Sequence, residues 1–110
     1  MGTLNQIEKT IIASILTTEI EEHQCSIQDA KHYGRADRKA FYLQEIKMLE
    51  NLTAAIHHDE CVTHQEYHIV LFLLSNCLAN TVLHPSKHNH TPERLAITVN
   101  SFLAHVTVQA

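Results

Sequence analysis

Residues 62–84 carry the sequence feature that most constrains the fold, a complete helix start followed by an apolar segment. Thr63 can cap a helix, and Glu66 stands three residues later, where its side chain can reach back to the Thr63 backbone N–H. Val62 and Tyr67 flank this cap at the spacing of a hydrophobic staple. These residues predict a helix that begins at residue 64.

The segment after this start is apolar on nearly every side, which predicts a buried helix over about 64–83 at the centre of the protein. Pro85 disfavours helix in the residue before it and so limits the helix end. The longest uninterrupted apolar run, residues 69–74, is too short to cross a bilayer. We therefore expect a core helix and no membrane span.

Turn-forming residues are scarce, with two glycines and two prolines in 110 residues. A β-sandwich or barrel needs a turn about every ten residues, so this composition favours an all-α fold. A hydrophobic share of 45% with 18% charged residues is typical of globular chains. We predict a single helical domain over 1–110, built as a bundle of four principal helices with a fifth short one as the alternative.

The first predicted helix begins after Thr3, where Gln6 stands at the offset of a capping box. Its acidic end, residues 19–22, leaves two outcomes open: the helix ends near Cys25 or continues toward Tyr33. The first helix also carries a wide apolar stripe. A stripe of this width indicates contact with two neighbours, either two helices of the chain or one helix and a second subunit. The stripe comprises Leu4, Ile7, Ile11, Ile12, Ile15, Leu16 and Ile20.

Gly34 predicts a break, after which a second helix runs from about residue 36 to 57 and pairs antiparallel with the first. The alternative is one uninterrupted rod through Gly34, at a cost of about 1 kcal/mol in helix propensity. Thr91, Pro92 and Glu93 predict the start of the last helix, with a cap, a proline and an acid in the expected order.

Ten histidines make the chain unusually rich in imidazole. One group of them, with a cysteine, recurs at steps of four, three and four residues: His57, Cys61, His64 and His68. Imidazole and thiolate groups are the ligands that zinc prefers, so a zinc-binding or metal-responsive protein is the alternative functional hypothesis. The Thr63 cap argues against one continuous helix through these residues.

A second histidine cluster, His84, His88 and His90, lies roughly 30 Å away along the predicted third helix and cannot share an ion with the first within one chain. Its proline and polar residues favour a plain surface loop. Protonation of both clusters would add positive charge at the two ends of the helix, with opposite effects on its dipole, so a pH switch has no predictable sign.

Catalytic motifs are absent from the sequence, which predicts that the protein is not an enzyme. Cys61 is the best nucleophile candidate, but no residue near it in sequence would orient a histidine base. Cys77 lies within the apolar helix and is interpreted as a small buried hydrophobe. Together with Cys25 these cysteines form no secretory disulfide pattern, and we expect a reducing, cytoplasmic setting without a cofactor.

Half of the eight fixed positive charges fall within nine residues: Lys31, Arg35, Arg38 and Lys39. This basic patch predicts a partner-binding surface that could meet phosphates or an acidic protein surface, and the alternative is a solvated helix end or turn. The net charge of −4 and the interruption by Asp37 disfavour nucleic acid. The acidic residues 19–22 could instead pair with the patch across the helix hairpin or across a dimer.

The sequence therefore predicts a small intracellular module that binds another protein through a helical surface, as a regulator, adaptor or inhibitor. The wide stripe of the first helix suggests that it also forms a homodimer.

Overall fold

A computed structural model describes residues 3–32, 34–83 and 90–109 of the chain. Within these residues it contains four helices and no strands, which confirms the all-α bundle of four principal helices. In chain order they are α1 (Gln6–His32), α2 (Ala36–His57), α3 (His64–Leu83) and α4 (Pro92–His105). The bounds of α2 and α3 match those predicted, and no fifth helix occurs within the described ranges.

The cap of α1 differs from the predicted one. Asn5 Oδ1 accepts a hydrogen bond from the Glu8 backbone N–H at 2.8 Å, and Glu8 Oε1 accepts one from the Asn5 N–H at 3.0 Å. This is a reciprocal capping box, so the predicted box at Thr3 and Gln6 is wrong by two residues. Starting the helix later leaves Leu4 before the cap, where it joins the hydrophobic core.

The other two predicted caps are confirmed. Glu66 N–H donates to Thr63 Oγ1 at 3.1 Å while Thr63 N–H donates to Glu66 Oε1 at 2.8 Å. Arg94 N–H donates to Thr91 Oγ1 at 3.2 Å, and Pro92 occupies the first turn of α4. Each cap satisfies backbone donors that a helix start would otherwise leave unpaired.

The chain reverses direction at Gly34, so the alternative of one rod through this residue is wrong. Gly34 has a φ of +69°, in the left-handed region that glycine adopts without strain. Its N–H donates to the Lys31 carbonyl at 3.3 Å, and the Arg35 N–H donates to the Ala30 carbonyl at 2.8 Å. This pair of bonds is a Schellman motif, which ends α1 beyond Cys25 and starts α2 in an antiparallel direction.

The helix at the centre of the fold is α1, because it packs along α2 and also contacts α3 and α4, whereas α2 makes little contact with either of the latter. The prediction that residues 64–83 are wrapped by the rest of the chain is wrong. Phe72 is 64% exposed and Leu83 70% exposed, and α3 buries one narrow stripe that includes Val70 and Leu74. A helix can be apolar all round and still meet neighbours on one side only.

The helices form two layers in a flat molecule. The Cα extents are 48 × 38 × 18 Å, and 18 Å suits two helices stacked at the usual 8–10 Å between axes. The first half of α3 lies beside residues 45–49 of α2, and its second half lies beside residues 14–22 of α1, so α3 runs across the hairpin. The Val62 N–H donates to the Thr107 carbonyl at 3.0 Å, which ties the start of α3 to the end of α4.

One hydrophobic cluster joins the layers, and its α1 and α2 members reach only as far as Leu16 and Leu49. Closer to the hairpin turn, Ile27, Ala30 and Ile46 are buried outside this cluster. The far end of the hairpin therefore depends on packing between α1 and α2. The cluster comprises Leu4, Ile12, Leu16, Leu49, Leu52, Ile56, Val62, Val70, Leu74 and Phe102.

Within the described residues, α3 is the one helix long and apolar enough to cross a membrane by length and composition, and 17% of its most apolar window is buried. Polar side chains interrupt that helix at Ser75, Asn76 and Asn80. The last two lie beside α1 together with Cys77.

We predict that Leu16→Ala lowers the free energy of unfolding by about 3 kcal/mol, because it opens a cavity in the hydrophobic cluster where α1 packs against the second layer. The control is Leu43→Ala in the middle of α2, where the side chain is 49% exposed and the loss should stay below about 1 kcal/mol. Urea unfolding followed by circular dichroism measures both. Equal losses would contradict the central position of α1.

Candidate protein-binding surface

An apolar groove lies between α2 and α3, over α1, where the two outer helices fail to meet. Its volume is about 500 Å³. The apolar lining comes from Leu49, Ile69, Phe72 and Leu73, and the polar lining from Glu19, His23, Glu45, Gln65 and His68. We call this feature the α2–α3 groove.

Phe72 is the residue of the groove whose exposure needs explanation. A phenyl ring that is 64% exposed leaves a large apolar area in water, while the Leu49 side chain below it is fully buried. Single exposed hydrophobic residues are common on protein surfaces, but this one lines a groove with three other apolar residues. The groove is therefore an exposed apolar surface with several residues, not a single exposed side chain.

Carboxylates line the hairpin side of the groove. Burial raises the pKa of Glu19 above its ordinary value, and the nearby charges of Glu22 and Glu45 raise it further. His23 Nε2 lies 3.9 Å from Glu19 Oε1 and has the opposite effect on the pKa. Among the residues that the structure describes, no lysine or arginine forms an ion pair with Glu19 or Glu45.

The structure brings together half of the predicted basic patch. Arg35 and Arg38 line a depression near the hairpin turn together with Ser26, Asp29, Ala30 and Tyr42, whereas Lys31 and Lys39 do not line it. Across residues 3–32, 34–83 and 90–109, none of these four cations forms an ion pair; the lysine that does so is Lys9, at 3.0 Å from Asp59.

The proposed pairing of residues 19–22 with the basic patch across the hairpin is wrong. The helices are aligned so that His23 and Tyr42 face each other, with ring centroids 5.4 Å apart. Glu19 consequently lies near Glu45 rather than near the patch. The antiparallel register places Arg35 and Arg38 closer to the turn than the acidic residues 19–22.

The groove and the basic depression belong to one continuous face of the hairpin, because His23 lines the first, Tyr42 lines the second and their rings are in contact. We call this surface the hairpin face; it consists of Glu19, His23 and Ser26 on α1 and Arg38, Tyr42 and Glu45 on α2. In both helices the members are spaced so that they lie on one side. Sequence reasoning missed this face, because finding it requires the register between the two helices.

The predicted zinc ligands are exposed but do not converge. His57 lines a depression between α1 and α2, whereas His68 lines the α2–α3 groove. Within the described part of the chain, no group of three or more histidine, cysteine, aspartate or glutamate residues could hold a metal ion. The zinc hypothesis for His57, Cys61, His64 and His68 stays a prediction. His84 and His88 lie outside the described residues, and His90 is half-buried.

The three cysteines are free thiols in different surroundings. Cys25 and Cys61 are exposed, while Cys77 is only half-buried and not fully buried as predicted. Burial raises the pKa of Cys77, which lowers its thiolate fraction at neutral pH.

Comparison with protein-family models, with curated proteins and with solved structures finds no match to this chain.

We predict that Glu19→Gln raises the melting temperature slightly at pH 7. Because burial raises the folded-state pKa above the ordinary value of 4.5, ionisation is less favourable in the folded state, and stability falls as pH rises past that value. The gain should disappear below pH 4.5, where the carboxyl group is protonated in both states. The control is Glu21→Gln, at an exposed position of the same helix. Thermal unfolding at several pH values tests this, and a gain that persists in acid would contradict it.

The zinc hypothesis predicts stoichiometric zinc in native mass spectra of protein prepared without chelator, and a lower melting temperature after zinc removal. The variant His64→Ala/His68→Ala should lose the metal, whereas His105→Ala, an exposed histidine at the end of α4, should retain it. A metal-free spectrum, with a melting temperature that added zinc leaves unchanged, would end this hypothesis.

Proposed function

We propose that this protein is a small intracellular, non-enzymatic protein-binding module, a regulator, adaptor or inhibitor, that acts through its α1–α2 hairpin and also self-associates. The observation that carries the proposal is the hairpin face. Within the described residues, no lysine or arginine pairs with Glu19 or Glu45 and no carboxylate pairs with Arg38, and these charges lie beside an apolar groove.

The basic end of the hairpin suits an acidic partner. Arg35 and Arg38 are exposed at the end of two long helices, away from the cluster that joins the layers. Guanidinium groups bind carboxylates with two parallel hydrogen bonds, which gives both attraction and orientation. Lys31 and Lys39 extend the positive potential around the turn. Net charge and Asp37 favour a protein partner over nucleic acid.

The α2–α3 groove supplies the apolar contact area that the charged residues lack. Charged rims mainly raise association rates, while affinity depends on apolar side chains that lose contact with water. Phe72 and the apolar lining beside it offer such a site at the other end of the same face. Three free thiols are compatible with the reducing compartment proposed here.

We predict that Arg35→Glu/Arg38→Glu lowers capture of the acidic partner about tenfold or more in quantitative pull-downs from the source cell, because attraction becomes repulsion. The control Lys47→Glu/Arg94→Glu makes the same change in net charge at two exposed positions away from the depression. Equal loss in both variants would mean that net charge alone governs capture. Unchanged capture in the first variant would remove the patch from the binding surface.

A further inference from the structure

Charge is ordered along the hairpin face. Beginning next to α3, the face carries the carboxylates of Glu19 and Glu45, then the contacting rings of His23 and Tyr42, then Arg38 toward the turn. On α2 the acidic and basic ends are seven residues apart, which is about 10 Å along the helix. A surface that is acidic at one end and basic at the other is complementary to its own copy after rotation by 180°.

We propose that two copies of this chain pair through their hairpin faces about a two-fold axis near His23 and Tyr42, so that Glu45 of each copy meets Arg38 of the other. The inference rests on the proposed function, because it assigns a surface to the self-association. Closed two-fold pairing of one surface with itself is the commonest arrangement of soluble homo-oligomers.

The pairing would bring an arginine of one copy to the carboxylates of the other, whereas within one chain Glu19 lies 3.9 Å from His23. Glu19 and Glu45 have no ion pair with a lysine or arginine in the described ranges, and neither Arg35 nor Arg38 has one with a carboxylate. Asp29 lines the depression beside these arginines and offsets part of their charge. A cation from the second copy would also relieve the repulsion that Glu22 and Glu45 exert on Glu19.

The same rotation buries apolar surface. The basic end of one hairpin lies as far from the axis as the carboxylates of the other hairpin, so the basic end of each copy lies over the α2–α3 groove of the other copy. Phe72 lines that groove on the α3 side, where the hairpin end of the second copy would shield its ring. The face is only two helices wide and half polar, so we expect a Kd in the micromolar range, about 1–100 μM.

Sedimentation equilibrium of single charge reversals tests the contact. Glu45→Arg and Arg38→Glu should each raise the dimer Kd about tenfold or more, since every dimer contains the reversed contact twice. Circular dichroism verifies that both variants keep the helicity of the unaltered chain. Unchanged Kd values for both variants would overturn the proposed pairing.

Mixing the two variants is the decisive measurement. In a mixed dimer, the arginine introduced at position 45 of one chain meets the glutamate introduced at position 38 of the other. The second contact joins the two unaltered side chains, Arg38 and Glu45, so both contacts regain opposite charges. An equimolar mixture should therefore dimerise within about threefold of the unaltered chain although neither variant does so alone. Absence of this rescue would mean that residues 38 and 45 do not meet across the dimer.

The apolar part has its own matched pair of variants. Phe72→Ala should raise the dimer Kd about tenfold, because the substitution removes a ring that pairing would bury. Leu103→Ala removes a side chain that is 49% exposed on α4, away from the groove, and should leave the Kd unchanged. Equal effects of the two would overturn the placement of the second copy over the groove.

Failure of this inference and failure of the proposed function give different results. A dimer that ignores all these substitutions would leave self-association intact and place it on another surface. A chain that stays monomeric at several hundred micromolar, far above the expected Kd, would refute self-association itself. Capture of the acidic partner in pull-downs is a readout separate from the dimer Kd.

Discussion

Burial of α1 against three helices is the constraint on which the rest of the structure depends. Ile12 and Leu16 lie in the cluster that joins the two layers, and residues of α2, α3 and α4 complete it. Because α2 makes little contact with α3 or α4, α1 is the main link between the two layers, and Leu49, Leu52 and Ile56 of α2 add side chains to the shared cluster. The same arrangement leaves a gap between α2 and α3, so the groove is a consequence of how the core is built.

The features predictable from the sequence are those that depend on residues close together in the chain. The cap at Thr63 and Glu66, the cap at Thr91 and the break at Gly34 each involve local backbone hydrogen bonds, and all three are present. Where two pairs of residues could form the same kind of helix cap, as at the start of α1, the prediction was wrong. Thr3 with Gln6 and Asn5 with Glu8 offer the same spacing, and the second pair forms the cap.

Features that depend on contacts between helices were not predictable in the same way. The apolar composition of residues 64–83 suggested a central helix, but composition does not show how many neighbours a helix has, and Phe72 is left exposed. The basic patch was visible in sequence as a cluster. That Arg38 shares a face with Tyr42 and Glu45 follows from helix period, whereas the position of Glu19 and His23 beside them follows from the hairpin register.

The turn at Gly34 sets that register through one left-handed backbone conformation and two hydrogen bonds. Adding one residue to either helix would rotate everything beyond it by about 100° and separate the ring of His23 from that of Tyr42. Homologous chains in which α1 and α2 are longer or shorter would thus preserve the charge order only by matched insertions or deletions of about seven residues in both helices. The lengths of α1 and α2 among such homologous chains should therefore differ by whole heptads.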